Sequence, residues 1–186
     1  MSHPHAHALP AAPGRLALPG TVRLLSAAAA LAGGAALAWA FGRGDAALAW
    51  SSYLIGSFFV LGLGVFGVAW IAMLYLSGAD WSVTMRRIPE AMTAWLLPGG
   101  LLATAVLFGA PTLYHWSHAG AVAEDALLSH KAPFLNVTMF TVLVTVSLAA
   151  WILFASALVR ISHRQDREGG IEPTRKSHVL SAVFLV

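Results

Sequence analysis

Residues 46–79 read AALAWSSYLIGSFFVLGLGVFGVAWIAMLYLSGA, thirty-four positions without one charged side chain. About 20 helical residues, rising about 1.5 Å each, cross the roughly 30 Å hydrocarbon core of a bilayer. A water-exposed helix of this length would need a charged or polar face, and this stretch supplies no charge at all. It therefore reads as a membrane span with residues to spare. Interfacial aromatics narrow its bounds: the helix is expected to start near Trp50 or Tyr53 and to end near Leu76, with Tyr75 at the inner boundary.

Three further runs, Leu24–Gly42, Ala91–Leu113 and Ala132–Val159, are also uncharged. Each exceeds the roughly 18 apolar residues at which a transmembrane helix becomes the default reading. The composition agrees, with 58% hydrophobic and 10% charged residues and a mean hydropathy of +0.73. The expected fold class is an all-α polytopic transmembrane helix bundle, four spans within residues 21–160. The first run is longer than a signal-peptide core and has some twenty residues before it, so it reads as an uncleaved anchor.

Outside the spans, residues 1–20 are rich in His, Pro, Ala and Gly without periodicity, and are expected to form a disordered cytoplasmic tail. His3, His5 and His7 alternate there, but without a fold to hold three ligands no metal site is expected. Residues 161–178 read as a cytoplasmic polar loop. Residues 179–186 begin a new apolar run that stops after eight positions, about 12 Å of helix. It reads as the start of a fifth span in a longer protein rather than a segment lying on the interface.

Nine of the eleven Lys and Arg residues fall on one side of the spans, at Arg15, Arg23, Arg86, Arg87, Arg160, Arg164, Arg167, Arg175 and Lys176. The opposite connections hold Arg43 and Lys131. The positive-inside rule puts the N-terminus in the cytoplasm and the loops at Arg43 and Lys131 outside. The high pI thus marks membrane orientation and not a nucleic-acid partner. With no Cys, the chain excludes a disulfide, a thiolate-ligated iron–sulfur cluster, a covalently attached c-type haem and a thiol nucleophile.

Several local patterns refine this outline. Gly62-Leu63-Gly64-Val65-Phe66-Gly67 spells a dinucleotide fingerprint, which needs a strand before it and water around it. In mid-membrane the glycines read instead as a flat surface for a neighbouring helix. Ile88-Pro89-Glu90 opens the third span with a proline and an acid, both favourable in a first turn. Glu90 is also the inner-side candidate for proton exchange, since carboxylates near membrane ends relay protons. Pro98-Gly99-Gly100 predicts a kink about a third of the way across. Thr138, Thr141, Thr145 and Ser156 share one face of the fourth span and read as a packing stripe.

Polar chemistry is densest in the outer connection between spans three and four, at Tyr114, His115, Trp116, His118, Glu124, Asp125, His130, Lys131 and Asn136. A histidine beside a carboxylate is the pair that takes up and releases protons near neutral pH. His115, Asp125, His130 and Lys131 are therefore the outer-side proton-exchange candidates. Tyr114 and Trp116 are the candidates for contact with a flat ring such as a quinone. An interfacial aromatic belt with an ordinary polar loop is the plainer reading of the same residues.

Leu74-Tyr75-Leu76-Ser77-Gly78-Ala79-Asp80-Trp81-Ser82, then Arg86-Arg87-Ile88, resembles the second-span exit of the ActF family, the second NrfD-like membrane subunits of bacterial alternative complex III. So does Leu113-Tyr114-His115-Trp116 followed by Asp125, His130-Lys131 and Phe134-Leu135-Asn136. Lys176-Ser177-His178-Val179-Leu180-Ser181 is similar to the approach to that family's next helix. The resemblance runs from about Trp50 to the C-terminus. It implies a multi-pass subunit of the bacterial inner membrane, in a complex that oxidises quinol and passes electrons to a cytochrome c or a terminal oxidase. It implies a multihaem cytochrome, an iron–sulfur protein and a second NrfD-like subunit as partners, with the haem and iron–sulfur centres held in those partners.

This chain would hold no covalently bound cofactor, would contact quinone or menaquinone, would conduct protons, and would complete no chemistry alone. It departs from the family in length, since family members carry about twice as many helices. Half of a small transporter or channel, and a pure anchor or assembly module, are the rival readings.

Overall fold

A computed structural model describes residues 18–78, 85–168 and 172–185. The histidine-rich tail, the Asp80-Trp81-Ser82 part of the quoted motif and Val186 lie outside the described residues. Among the described residues nine α-helices follow in chain order: α1 (Gly20–Gly42), α2 (Ala46–Leu76), α3 (Arg87–Thr93), α4 (Leu96–Ala105), α5 (Ala110–Leu113), α6 (Ala119–Glu124), α7 (Ala126–Lys131), α8 (Val137–Glu168) and α9 (Glu172–Leu185). Short 3₁₀ turns occupy Val106–Gly109 and His115–Ser117, and no strand occurs among the described residues. Among the described residues four segments are long and apolar enough to cross a membrane: α1, α2, Arg87–Leu113 and most of α8. The fold is an all-α bundle with the build of a multi-pass membrane protein.

Helix α2 is the centre. It contacts α1, α3, α4, α8 and α9. Leu61, Val68, Ile71 and Tyr75 of α2 form the buried core with Leu96 of α4 and Leu148, Ala155 and Leu158 of α8. By contrast, α1 buries none of its residues and meets α2 along an open cleft of about 890 Å³. In lipid this exposure carries no hydrophobic penalty, because the acyl chains are as apolar as the side chains. The α1–α2 hairpin turns at Gly44, whose φ of 81° suits a residue without Cβ, and Asp45 caps α2 by accepting from Leu48 N.

The glycine-rich face of α2 does bring a neighbour close. A Cβ on Gly64 would lie 2.6 Å from Leu96 N, and one on Gly67 would lie 2.8 Å from Pro89 O. From the other side, a Cβ on Gly99 would lie 2.7 Å from Leu61 Cα. Gly62 faces open space, so the packing surface comprises two of the three motif glycines.

The third span is broken as its prolines dictate, one turn earlier than their own positions. Pro98 has no N–H for the carbonyl of Ala94 and its ring crowds that group. The chain responds with a turn at Ala94–Trp95, where Ala94 N and Trp95 N bond back only three residues. Pro111 likewise follows the 3₁₀ turn at Val106–Gly109.

The polar segment expected as a loop at 161–178 is helical throughout its described residues. Helix α8 runs on to Glu168, because leaving the membrane ends an apolar run without ending a helix. Helix α9 begins at Glu172 and packs against both α2 and α8. Leu180 and Phe184 join the core, and the Phe184 ring meets Phe154 edge-on at 5.5 Å.

Candidate functional site

Arginine-rich sequence at the α2–α3 junction produces a buried charge cluster. Glu90, in the first turn of α3, is 8% exposed; Arg86, one turn before it, is 6% exposed; Ser162, on the extension of α8, is 1% exposed. The Glu90 carboxylate accepts a hydrogen bond from Ser162 Oγ and pairs with Arg87. Arg86 Nε faces Glu90 Oε1 at 3.3 Å, a charge contact without hydrogen-bond alignment.

Arg86 reaches further than any other side chain in the cluster. Its Nη1 donates to Tyr75 Oη and to Gln165 Oε1, each at 3.1 Å, and its Nη2 donates to Asp166 Oδ1 at 3.2 Å. Arg87 pairs with Asp166 as well, and its Nη1 lies 3.3 Å from His163 Nδ1. Two guanidinium groups and two carboxylates therefore balance in charge while tying the end of α2 to α3 and α8. The Tyr75 ring also meets His178 of α9 at 6.3 Å. Such a neutral, hydrogen-bonded set is the form in which charges persist at low exposure.

Of this cluster the sequence singles out Glu90 but not the α8 residues gathered around it. Ser162, Gln165 and Asp166 sit in the stretch expected to be a loop. Their signal was the spacing Leu158, Ser162, Asp166, which continues one face of the fourth span beyond its last apolar residue.

At the opposite end, Tyr114 leaves α5 in an extended conformation and stacks on Trp116, with ring centroids 5.1 Å apart and planes at 19°. Phe140 of α8 meets both rings edge-on, at 5.6 and 5.7 Å. Such ring pairs contribute about 0.5–1.5 kcal/mol beyond the area they bury. Beneath them lies a cavity of about 340 Å³ whose lining includes Leu54, Phe58, Tyr114, Phe140, Ser147 and Trp151. Trp116 stands behind Tyr114 and does not line it.

The polar residues between α5 and α8 are dispersed. His115 is exposed in the turn beside Trp116. Asp125 caps α7, its Oδ1 accepting from Leu127 N at 2.8 Å and Leu128 N at 3.3 Å. His130 and Lys131 occupy the last turn of α7, exposed, where the helix dipole favours cations. Asn136 caps α8 through Met139 N at 2.8 Å. Among the described residues no ion pair joins Asp125 to His115, His130 or Lys131, and no group of three acids or histidines is placed to hold a metal.

No protein-family model matches the chain, and no curated protein matches it in sequence.

Proposed function

We propose that this chain is an integral subunit of a quinol-oxidising respiratory complex of the bacterial inner membrane, of the alternative complex III kind, with its N-terminus in the cytoplasm. Its role is to build the membrane part of the complex, to contact quinone or menaquinone, and to exchange protons at the two faces. The multihaem cytochrome, the iron–sulfur protein and the second NrfD-like subunit carry the redox centres, and this chain turns over nothing alone. The motifs from Leu74 to Ile88, from Leu113 to Asn136 and from Lys176 to Ser181 support the assignment by their order and spacing.

The observation that carries the reading is the buried Glu90 cluster. A carboxylate joined to two arginines and a serine at a membrane boundary is a costly arrangement for a simple anchor, and intramembrane ionisable groups mark functional sites by default. The cavity under Tyr114 adds a second support. Its lining side chains are hydrocarbon apart from the hydroxyls of Tyr114 and Ser147 and the indole N–H of Trp151, which suits a flat apolar ring carrying oxygens. His115, His130 and Lys131 stand exposed for proton exchange on the outer side, and Asp125 divides its carboxylate between that task and capping α7.

The dispersal of these outer residues favours the assembly-module alternative, in which the loop has no chemical part. Affinity purification of the tagged chain from its native membrane separates the readings. The subunit comes out with haem-bearing and iron–sulfur partners and with quinol oxidation; a transporter half comes out without them. An assembly module brings the partners but shows turnover insensitive to every outer-loop substitution.

A further inference from the structure

A second feature of the basic end lies outside the charge cluster. Where α9 packs back against α8, Ile161, Arg175, Lys176, Val179 and Leu180 line a cavity of about 470 Å³. Arg175 and Lys176 are exposed near the start of α9. Four residues on, about 6 Å deeper along the same helix face, stand Val179 and Leu180 respectively. Leu180 packs on the core, Val179 is 60% exposed, and Ile161 closes the wall from α8. The cavity therefore has a cationic rim and a hydrocarbon floor. Arg160, exposed and one residue before Ile161, adds to the positive field.

Only a ligand with both an anionic head and an apolar tail uses both halves. A free phosphate would leave the floor wetted, and a lipid without net charge would gain nothing from the rim. We propose that this cavity binds one anionic phospholipid of the surrounding leaflet, its phosphate on Arg175 and Lys176 and its acyl chain along Ile161, Val179 and Leu180. Arginine supplies a planar fork suited to phosphate oxygens, and lysine supplies a point charge on a flexible stem. Basic pockets between membrane helices at an arginine-rich boundary recognise lipid head groups by this electrostatic route. The arginines of the Glu90 cluster take no part, being committed to Glu90 and Asp166. The site is independent of which complex the chain joins.

The test titrates the full chain, purified in a mild detergent, with palmitoyl-oleoyl phosphatidylglycerol and counts bound lipid by native mass spectrometry. One phosphatidylglycerol is expected to bind in preference to phosphatidylcholine of the same chains. Combining R175Q with K176Q is expected to weaken it roughly 30-fold, a factor of about five for each basic charge lost at the membrane surface. R175K with K176R retains binding. Val179→Asn, which leaves both charges in place, weakens the long-chain lipid but not dihexanoyl phosphatidylglycerol. Equal binding of phosphatidylcholine, or undiminished phosphatidylglycerol binding by the doubly neutralised variant, overturns the site. Competition by inorganic phosphate at the same concentration as the lipid overturns the lipid assignment and leaves an anion site alone.

Discussion

Ser162 donates a hydrogen bond to Glu90 across 72 residues of sequence, fastening the first turn of the third span to the polar extension of the fourth. Because Arg86 bonds Tyr75, Gln165 and Asp166 at the same place, three helices share one polar knot. In lipid the apolar faces of these helices have little preference for each other over acyl chains, so packing and polar contacts decide their arrangement. Glycine contacts fix α2 against α3 and α4; the charged knot fixes both to α8.

Glu90→Ala is expected to destabilise the chain by about 3 kcal/mol, the low end for breaking a buried pair, since Arg86 keeps Asp166 but loses the carboxylate buried beside it. Ser162→Ala should cost about 1–3 kcal/mol, the penalty of one buried acceptor losing its donor. Equilibrium unfolding of the purified variants in detergent measures both. A Glu90→Ala variant as stable as the parent would remove the cluster from the account of the fold.

The pair is expected to couple. Arg86→Met alone leaves Glu90 and Asp166 sharing the single cation Arg87, whereas Arg86→Met with Glu90→Leu replaces a charge contact by apolar packing. A double-mutant cycle should show the combined variant recovering at least about 1 kcal/mol of the summed single losses, within the range seen for residues in contact. Strict additivity would mean that the 3.3 Å contact carries no energy of its own.

The three motif glycines are expected to behave differently. Gly64→Ala puts a methyl against the backbone of Leu96 and should cost about 1–3 kcal/mol, as overpacking does. Gly62→Ala meets nothing and gains helix propensity, so it should be neutral or slightly stabilising. Thermal unfolding in detergent ranks the variants, and equal effects at the two positions would contradict the close crossing of α2 and α4.

Particular residues show where sequence suffices. The four spans follow from the absence of charge, a property each run carries locally. The break at Ala94–Trp95 follows from Pro98 once the missing bond is counted back one turn. Asp125, read from the sequence only as a proton-exchange candidate, caps α7, and its signal was an aspartate directly before an apolar helical turn. What the sequence did not single out were the α8 members of the Glu90 cluster. Ser162 and Asp166 became visible only when α8 carried them to the α2–α3 junction, because charged sequence beyond a membrane boundary is equally compatible with loop and helix. The inward packing of α9 was hidden for a similar reason, since Ser177 and Ser181, polar by type, are fully buried.

Tyr114 is expected to matter through its hydroxyl. In the assembled complex, Tyr114→Phe should preserve the ring stack on Trp116 and the yield while lowering quinol oxidation about three- to tenfold, the range of one hydrogen bond. Trp116→Ala, behind the cavity wall, should lower stability more than turnover. Steady-state assays on the two purified complexes decide this, and unchanged turnover in Tyr114→Phe would take the tyrosine out of ring contact.

Asp125 caps α7, and two substitutions can separate that cap from the proton exchange proposed for its carboxylate. Serine accepts from the amides of Leu127 and Leu128 nearly as well as aspartate does, whereas alanine removes the cap at a cost of about 1 kcal/mol. Asp125→Ser therefore keeps α7 and deletes only the carboxylate. If that carboxylate takes part in proton exchange with His130, Asp125→Ser lowers quinol-driven turnover several-fold at normal complex yield, and His130→Gln does the same. Asp125→Ala should lower both turnover and yield. Turnover untouched in Asp125→Ser, with loss of yield confined to Asp125→Ala, would show that the carboxylate is there to start a helix.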